Sequence, residues 1–232
     1  MPRKGNDPLI TRLEPLRPRG LNMRVHLDGG EPLEVALEAL ERMGLGLGDP
    51  LPPKRRHQLL DADAEVKVRE AALNALSYRA RTRTELKRKL LGKGFHLARV
   101  EPCLDRLEQR GLLDDAAVAS AFVRDRIRLR PRGKLRLTQE LRAKGIPQEV
   151  AGRVVDAVLE QEEITEADLV RQVASAWLSR QGTAIVEALR SEERTPASEK
   201  ARRRLHGHLA RRGFGGAALS RGMEVVRERL GR

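Results

Sequence analysis

A triplet of a basic residue, a glycine and an apolar residue occurs three times in this chain, as Lys93-Gly94-Phe95, Lys144-Gly145-Ile146 and Arg212-Gly213-Phe214. Each copy is framed alike. Leucines stand eight and four residues before the glycine: Leu86 and Leu90, Leu137 and Leu141, Leu205 and Leu209. Apolar residues return ten and thirteen positions after it, as Leu104 and Leu107, Val155 and Val158, Met223 and Val226. Leucines four apart share one helix face, and a glycine just beyond the last of them suits a left-handed helix C-cap. Each unit therefore predicts helix, glycine stop, helix. The origins lie 51 and 68 residues apart, so the unit recurs with an insertion in its third copy. A recurring unit of that size marks stacked helical modules.

Lysine and arginine outnumber aspartate and glutamate by 46 to 33, a balance that favours a polyanionic partner or a membrane surface. No apolar run approaches the roughly 20 residues of a membrane span, and the first ten residues, MPRKGNDPLI, have no apolar signal core. A soluble, cytoplasmic protein is expected. Cys103 is the only cysteine, which excludes an intramolecular disulfide and suits a small apolar residue in a helix.

Residues 1–20 hold Pro2, Pro8, Pro15 and Pro18 among basic residues, without periodicity, and are expected to form a disordered basic arm. From Leu21 the pattern alternates, with Leu21, Met23, Val25 and Leu27 apolar. Asp28-Gly29-Gly30 and then Leu33 and Val35 complete the pattern of a small β-hairpin. Ala36 to Met43 reads as a helix, and the glycines and prolines from Gly44 to Pro53 read as a linker; residues 21–62 thus form an N-terminal region. Helices are expected to dominate from Asp63, as repeats spanning 63–113, 114–164 and 165–232. Thr82-x-x-Glu85 and Thr165-x-x-Asp168 are capping boxes, and Asp114 and Asp115 are caps for the next helix. Val118, Phe122 and Ile127 are assigned to the core of repeat two, Trp177 to that of repeat three, and residues 191–199 to an inserted polar loop. Pro102 falls inside the helix expected from Leu97, which predicts a kink or a later start.

Catalytic patterns are weak. Gly44-x-Gly46-x-Gly48 lies in the linker and is no dinucleotide fingerprint, and neither Gly92-Lys93 nor Gly133-Lys134 has the remainder of a phosphate loop. His206 and His208 fall on different faces of a helix, which disfavours a metal site. Asp114-Asp115 is better explained by capping than by paired-carboxylate chemistry. No enzyme, metal or cofactor is indicated. Basic charge is concentrated instead: from Arg79 to Lys144 nineteen lysines and arginines face eight carboxylates, a net +11 of the formal +13. Phosphate is the partner this favours. Aromatics are only 2% of the chain, so salt-sensitive electrostatic binding with little base readout is expected. Three short helices with a turn also fit a helix-turn-helix, leaving an autonomous DNA-binding or transcription regulator as the alternative.

The segments ALNALSYRARTRTELKRKLLGKGF, VEPCLDRLEQRGLLDD and AFVRDRIRLRPRGKLRLTQELRAKGI occur in an order that resembles the RecX family, regulators of the bacterial recombinase RecA. The likeness runs from about Val25 to Arg232 and is dense from Leu73 to Ile146. It rests on Arg79-x-Arg81-Thr82-x-x-Glu85-Leu86, on Gly111-Leu112-Leu113-Asp114-Asp115 and on Lys144-Gly145-Ile146; the family favours serine where Thr84 stands. The resemblance implies a mainly α fold, an elongated array of tandem three-helix repeats behind a small N-terminal β-hairpin region. It also implies a non-enzymatic protein that binds RecA nucleoprotein filaments and inhibits ATP hydrolysis, strand exchange and co-protease action; a monomer is expected. Single- and double-stranded DNA would be met through phosphates. The family likeness assigns the RecA and DNA contacts to Arg79, Arg81, Arg83, Lys87, Arg124, Arg126, Lys134 and Arg136. Leu86, Leu90, Phe95, Leu104, Leu107, Leu113, Phe122, Leu137, Leu141 and Trp177 are assigned to structure.

Overall fold

The computed structural model describes residues 7–18 and 20–231, over which a three-stranded antiparallel sheet is followed by eleven helices. The fold is mainly α. Two compact units divide the chain: Met1–Ala80 with Leu86–Leu113, and Arg81–Glu85 with Asp114–Arg232.

In the first unit the expected hairpin is present, β2 (Asn22–Leu27) pairing with β3 (Leu33–Ala36) in the register Met23 to Val35 and Val25 to Leu33. Val25 and Val35 are fully buried, whereas Leu21, at the start of the alternation, is exposed. The disordered arm expected over residues 1–20 requires correction. Residues 1–6 and 19 lie outside the described residues, but Ile10–Pro15 forms a third strand, β1, antiparallel to β2. The prolines punctuate its ends, which an edge strand tolerates because one side of its ladder needs no donor. The linker is likewise structured. Ile10 N donates to Asp49 O (3.0 Å), Gly48 N to Ile10 O (2.8 Å) and Leu51 N to Pro8 O (2.7 Å), so the glycine-rich stretch covers the outer edge of β1.

After α1 (Leu37–Arg42), α2 (Pro53–Tyr78) begins ten residues before Asp63, with Pro53 in the first turn, where its missing N–H costs nothing. This one helix serves two cores. Leu59 and Val66 pack with the sheet, while Val68, Ala72 and Ala75 pack with α3 (Arg83–Leu91) and α4 (Leu97–Gln109). Asp63, 5% exposed, accepts from Ala36 N (2.7 Å) and pairs with Lys67, so its burial is satisfied at the point where β3 turns into α1. Pro102 sits inside α4, which starts at Leu97 all the same; it forgoes the N–H that would bond back to residue 98. Cys103 is buried in the repeat-one core, and burial pushes its thiol up against the opposing pull of Arg106 and Arg69.

The second unit holds α5 (Asp115–Leu129), α6 (Lys134–Ala143), α7 (Gln148–Gln161), α8 (Glu166–Leu178), α9 (Thr183–Arg190), α10 (Pro196–Arg211) and α11 (Gly216–Arg229) around one continuous core. Asp114 caps α5 through Ala117 N, and Thr165 with Asp168 forms the expected capping box of α8. The face of α5 is in part that expected: Ile127 is in the core, but two other positions are displaced by one residue. Ala119, Val123 and Ile127 are buried, while Val118 and Phe122 are only half-buried. The extra length of the third copy is a helix, α9, rather than the polar loop expected over residues 191–199. Only 191–195 connect it to α10, which opens with Pro196 and a Thr195–Ser198 capping box.

The three repeat glycines adopt the left-handed conformation, with φ of +89° at Gly94, +93° at Gly145 and +85° at Gly213. The next N–H closes the same six-residue turn each time: Phe95 to Leu90 O (3.3 Å), Ile146 to Leu141 O (3.1 Å) and Phe214 to Leu209 O (3.2 Å). All six framing leucines are buried. An identical stop follows α7, where Ile164 N bonds Leu159 O (3.0 Å), but there the left-handed residue is the exposed Glu163, φ +54°. A side chain in that conformation costs roughly 1 kcal/mol. Glu163→Gly is therefore expected to raise stability by about 0.5–1 kcal/mol in urea unfolding; a loss instead would mean that Glu163 makes a compensating interaction in solution.

Candidate nucleic-acid interface

The eight nominated cations divide between the two units. In the first, Arg79 ends α2 and donates to Ala80 O (3.0 Å), and Lys87 forms an ion pair with Glu101. In the second, Arg81 and Arg83 are half-buried beside the first turn of α3. Thr82 and Glu85 form the expected capping box there, Thr82 Oγ1 donates to Lys144 O (2.6 Å), and Arg83 N donates to Asp115 Oδ1 (2.6 Å). Asp115 thus satisfies a free N–H of a different helix, and both members of the Asp114-Asp115 pair have structural work.

Helical periodicity sorts the alternating arginines of α5. Arg124 and Arg128, four apart, both reach Glu162 (3.0 and 3.3 Å), with Arg124 also on Gln161. Arg126 lies 4.4 Å over the Phe122 ring and donates to Glu140 (2.7 Å), which also faces Arg136 at 3.0 Å and Arg132 at 3.5 Å. Burial alone would raise the Glu140 carboxyl, but hydrogen bonds from Arg126 and Arg136, with the charges of Arg126 and Arg132, hold it below the usual range. Lys134 pairs with Asp156 (2.7 Å). Arg126 and Arg136 are therefore brought together, on one carboxylate, whereas Arg124 and Lys134 answer to different ones.

Uncompensated positive charge gathers elsewhere in the second unit. Where α5 ends, Arg128, Arg130, Arg132, Arg180 and Arg212 line a cleft of about 570 Å³ with Trp177, and no carboxylate lines it. Arg130 and Arg180 have no ion pair among the described residues, whereas the buried Arg132 Nε, without a hydrogen bond, lies 3.5 Å from Glu140 Oε1. Burial and the charges of Arg132, Arg180 and Arg130 hold the Arg212 guanidinium below its ordinary value. His208 stands 6.2 Å from Trp177 and is also held down, by burial and then by Arg212, Arg211 and Arg180, while His206 is exposed. None of the nominated Arg124, Arg126, Lys134 and Arg136 lines this cleft. Arg180 lies 50 residues beyond Arg130 and carries no local signature, while Arg212 reads only as the basic member of the third triplet and Trp177 only as core, so nothing local in the sequence brings the three together.

No group of three or more histidine, cysteine or carboxylate side chains suited to a metal occurs among the described residues, and no helix there is long and apolar enough to cross a membrane. Comparison with known proteins identifies residues 69–107 as similar to "RecX, first three-helix domain" and residues 114–154 to "RecX, second three-helix domain". The chain is 33% identical over 154 residues to the regulatory protein RecX of Prosthecochloris aestuarii, covering 66% of this chain and 89% of that protein. With the regulatory protein RecX of Corynebacterium efficiens it shares 35% over 180 residues, 74% of this chain and 79% of the other. A crystal structure of regulatory protein RecX superposes with a TM-score of 0.69 at 25% identity, over 92% of this chain and 97% of that one.

Proposed function

This chain belongs to the RecX family of regulatory proteins, and from that we propose that it binds RecA filaments on DNA and restrains their ATP hydrolysis, strand exchange and co-protease action. It acts as a cytoplasmic monomer and catalyses no reaction of its own. The observation that carries the reading is the family match over two consecutive repeats, 69–107 and 114–154, within the stretch that holds most of the net positive charge. Repeated modules suit a target that itself repeats, since successive copies of one surface can engage successive protomers. Bridging neighbouring protomers opposes the rearrangement that hydrolysis and strand exchange require.

Arg79, Arg81, Arg83, Lys87, Arg124, Arg126, Lys134 and Arg136 supply the basic contacts in this reading. Several hold carboxylates within the chain, so a phosphate or an acidic protein surface must compete with Glu101, Glu140, Asp156 or Glu162. That competition makes the interaction salt-sensitive and favours specificity over raw affinity. The test is DNA-dependent ATP hydrolysis by preformed RecA filaments, with this protein added far below the amount that covers the DNA. Strong inhibition is expected at that ratio, and Arg81→Glu with Arg83→Glu is expected to raise the half-inhibitory concentration roughly tenfold at unchanged helical content. Inhibition only at DNA saturation would reduce the protein to a DNA competitor, and undiminished inhibition by the double variant would remove the basic face from the mechanism.

A further inference from the structure

We propose that the third repeat holds a single-stranded nucleic-acid site, in which one base stacks on Trp177 while the flanking phosphates rest on arginines to either side. This goes beyond the filament-binding reading and needs no recombinase. Its only common ground with that reading is contact with nucleic acid.

Trp177 lines two hollows at once. One is the cleft with Arg128, Arg130, Arg132, Arg180 and Arg212; the other, of about 550 Å³, holds Lys200, Arg203, Arg204 and Arg211. Neither has a carboxylate in its lining, and the partners that reach in are few. Arg128 meets Glu162 at 3.3 Å, Arg132 meets Glu140 at 3.5 Å and Arg203 meets Glu199 at 3.4 Å, whereas Arg130, Arg180, Arg204 and Arg211 have no ion pair among the described residues. Like charges so close repel one another and are stabilised by an anion.

The order cation, indole, cation selects the ligand. A nucleic-acid strand alternates phosphate and base, and a base caught on an aromatic ring between two phosphates is the unit by which strand-binding proteins hold it. A duplex keeps its bases stacked inside and offers the indole nothing but an end. A mononucleotide has phosphate on one side of its base and would leave one of the two cation groups unused. Low aromatic content argues against an extended stacking platform, but one base requires one ring. Trp177, half-buried and backed by His208 at 6.2 Å, is held in place to receive it.

Trp177 is the only tryptophan, so its emission reports this site in the full-length protein with no label. Emission is to be followed during titration with a fluorescein-tagged oligothymidylate of about 20 nucleotides, a length spanning the roughly 4–16 nucleotides of known single-strand sites. Anisotropy of the tag reports binding anywhere on the protein. Quenching that tracks the anisotropy is expected, with thymidine monophosphate and blunt duplex quenching at least tenfold less well at equal nucleotide concentration. Arg180→Glu, at an exposed position past the end of α8, is expected to weaken the quenching affinity roughly tenfold with helical content unchanged. Anisotropy that rises without quenching would overturn the Trp177 site while leaving nucleic-acid contact intact, and no change in either signal would remove both. Equal quenching by duplex or mononucleotide, or an unaffected Arg180→Glu, would also overturn it.

Discussion

Gly213→Ala is expected to destabilise the second unit by about 3 kcal/mol, roughly twice the loss expected from Gly94→Ala at the equivalent position of repeat one. All three repeat glycines lie in the left-handed region, so alanine at any of them incurs roughly 1–2 kcal/mol of backbone strain. At Gly94 that is the whole effect, for a Cβ there meets nothing within 4 Å. At Gly213 it would lie 2.3 Å from Arg136 Cβ and 2.5 Å from its backbone N, with no side-chain rotation able to relieve the clash. Overpacking of that kind adds roughly 1–3 kcal/mol. Gly145 meets Thr84 Cβ at 2.2 Å and should behave like Gly213.

The close approaches share a purpose. Arg212 O, at the end of α10, accepts from Gly133 N at the start of α6 (2.9 Å); Lys144 O, at the end of α6, accepts from Thr82 at the start of α3. A helix C-terminus thus meets a helix N-terminus twice, through the Gly133 N–H in one join and the Thr82 hydroxyl in the other, which satisfies a free carbonyl each time and sets opposite ends of two helix dipoles together. Urea unfolding of the three alanine variants checks this. Equal losses at all three positions would mean that the joins do not persist in solution.

Glu140→Gln is expected to cost about 2 kcal/mol at neutral pH and to remove part of the protein's acid sensitivity. The Glu140 side chain is 15% exposed and faces Arg126, Arg132 and Arg136, so an amide would leave three guanidinium groups crowded around no negative charge. Because folding depresses this carboxyl below its ordinary value near 4.5, the unfolded chain binds the proton more readily. Its contribution is therefore complete above about pH 4.5 and is lost as pH falls through the lower, folded value. Wild type and Glu140→Gln should differ most at pH 7 and converge on acidification. A gap that persists at low pH would show that shape rather than charge makes Glu140 important.

What could be read directly from the chain was whatever depends on neighbours about five residues away. The left-handed stops at Gly94, Gly145 and Gly213, the caps at Thr82, Asp114 and Thr165, and the leucine pairs all follow from hydrogen bonds and periodicity within one or two turns. The same was true of β2 and β3, which a short turn joins. Signals of that range also carried the family likeness.

Tertiary structure alone decided what depends on distant partners. Strand β1 exists because β2 and the stretch from Gly48 to Leu51 offer it hydrogen bonds, and its own prolines concealed it. On α5 Ala119 and Val123 take the core positions expected for Val118 and Phe122, and Phe122 is left half-buried with Arg126 4.4 Å and Lys144 5.1 Å from its ring. Most of all, the row of arginines announced positive charge without saying which charges would be neutralised. Glu162 meets Arg124 across 38 residues of sequence, and Arg212 joins Arg132 across 80, so the difference between a satisfied ion pair and an open cationic cleft is set by packing. Composition determines how much charge a chain carries; only the fold determines where it is left unanswered.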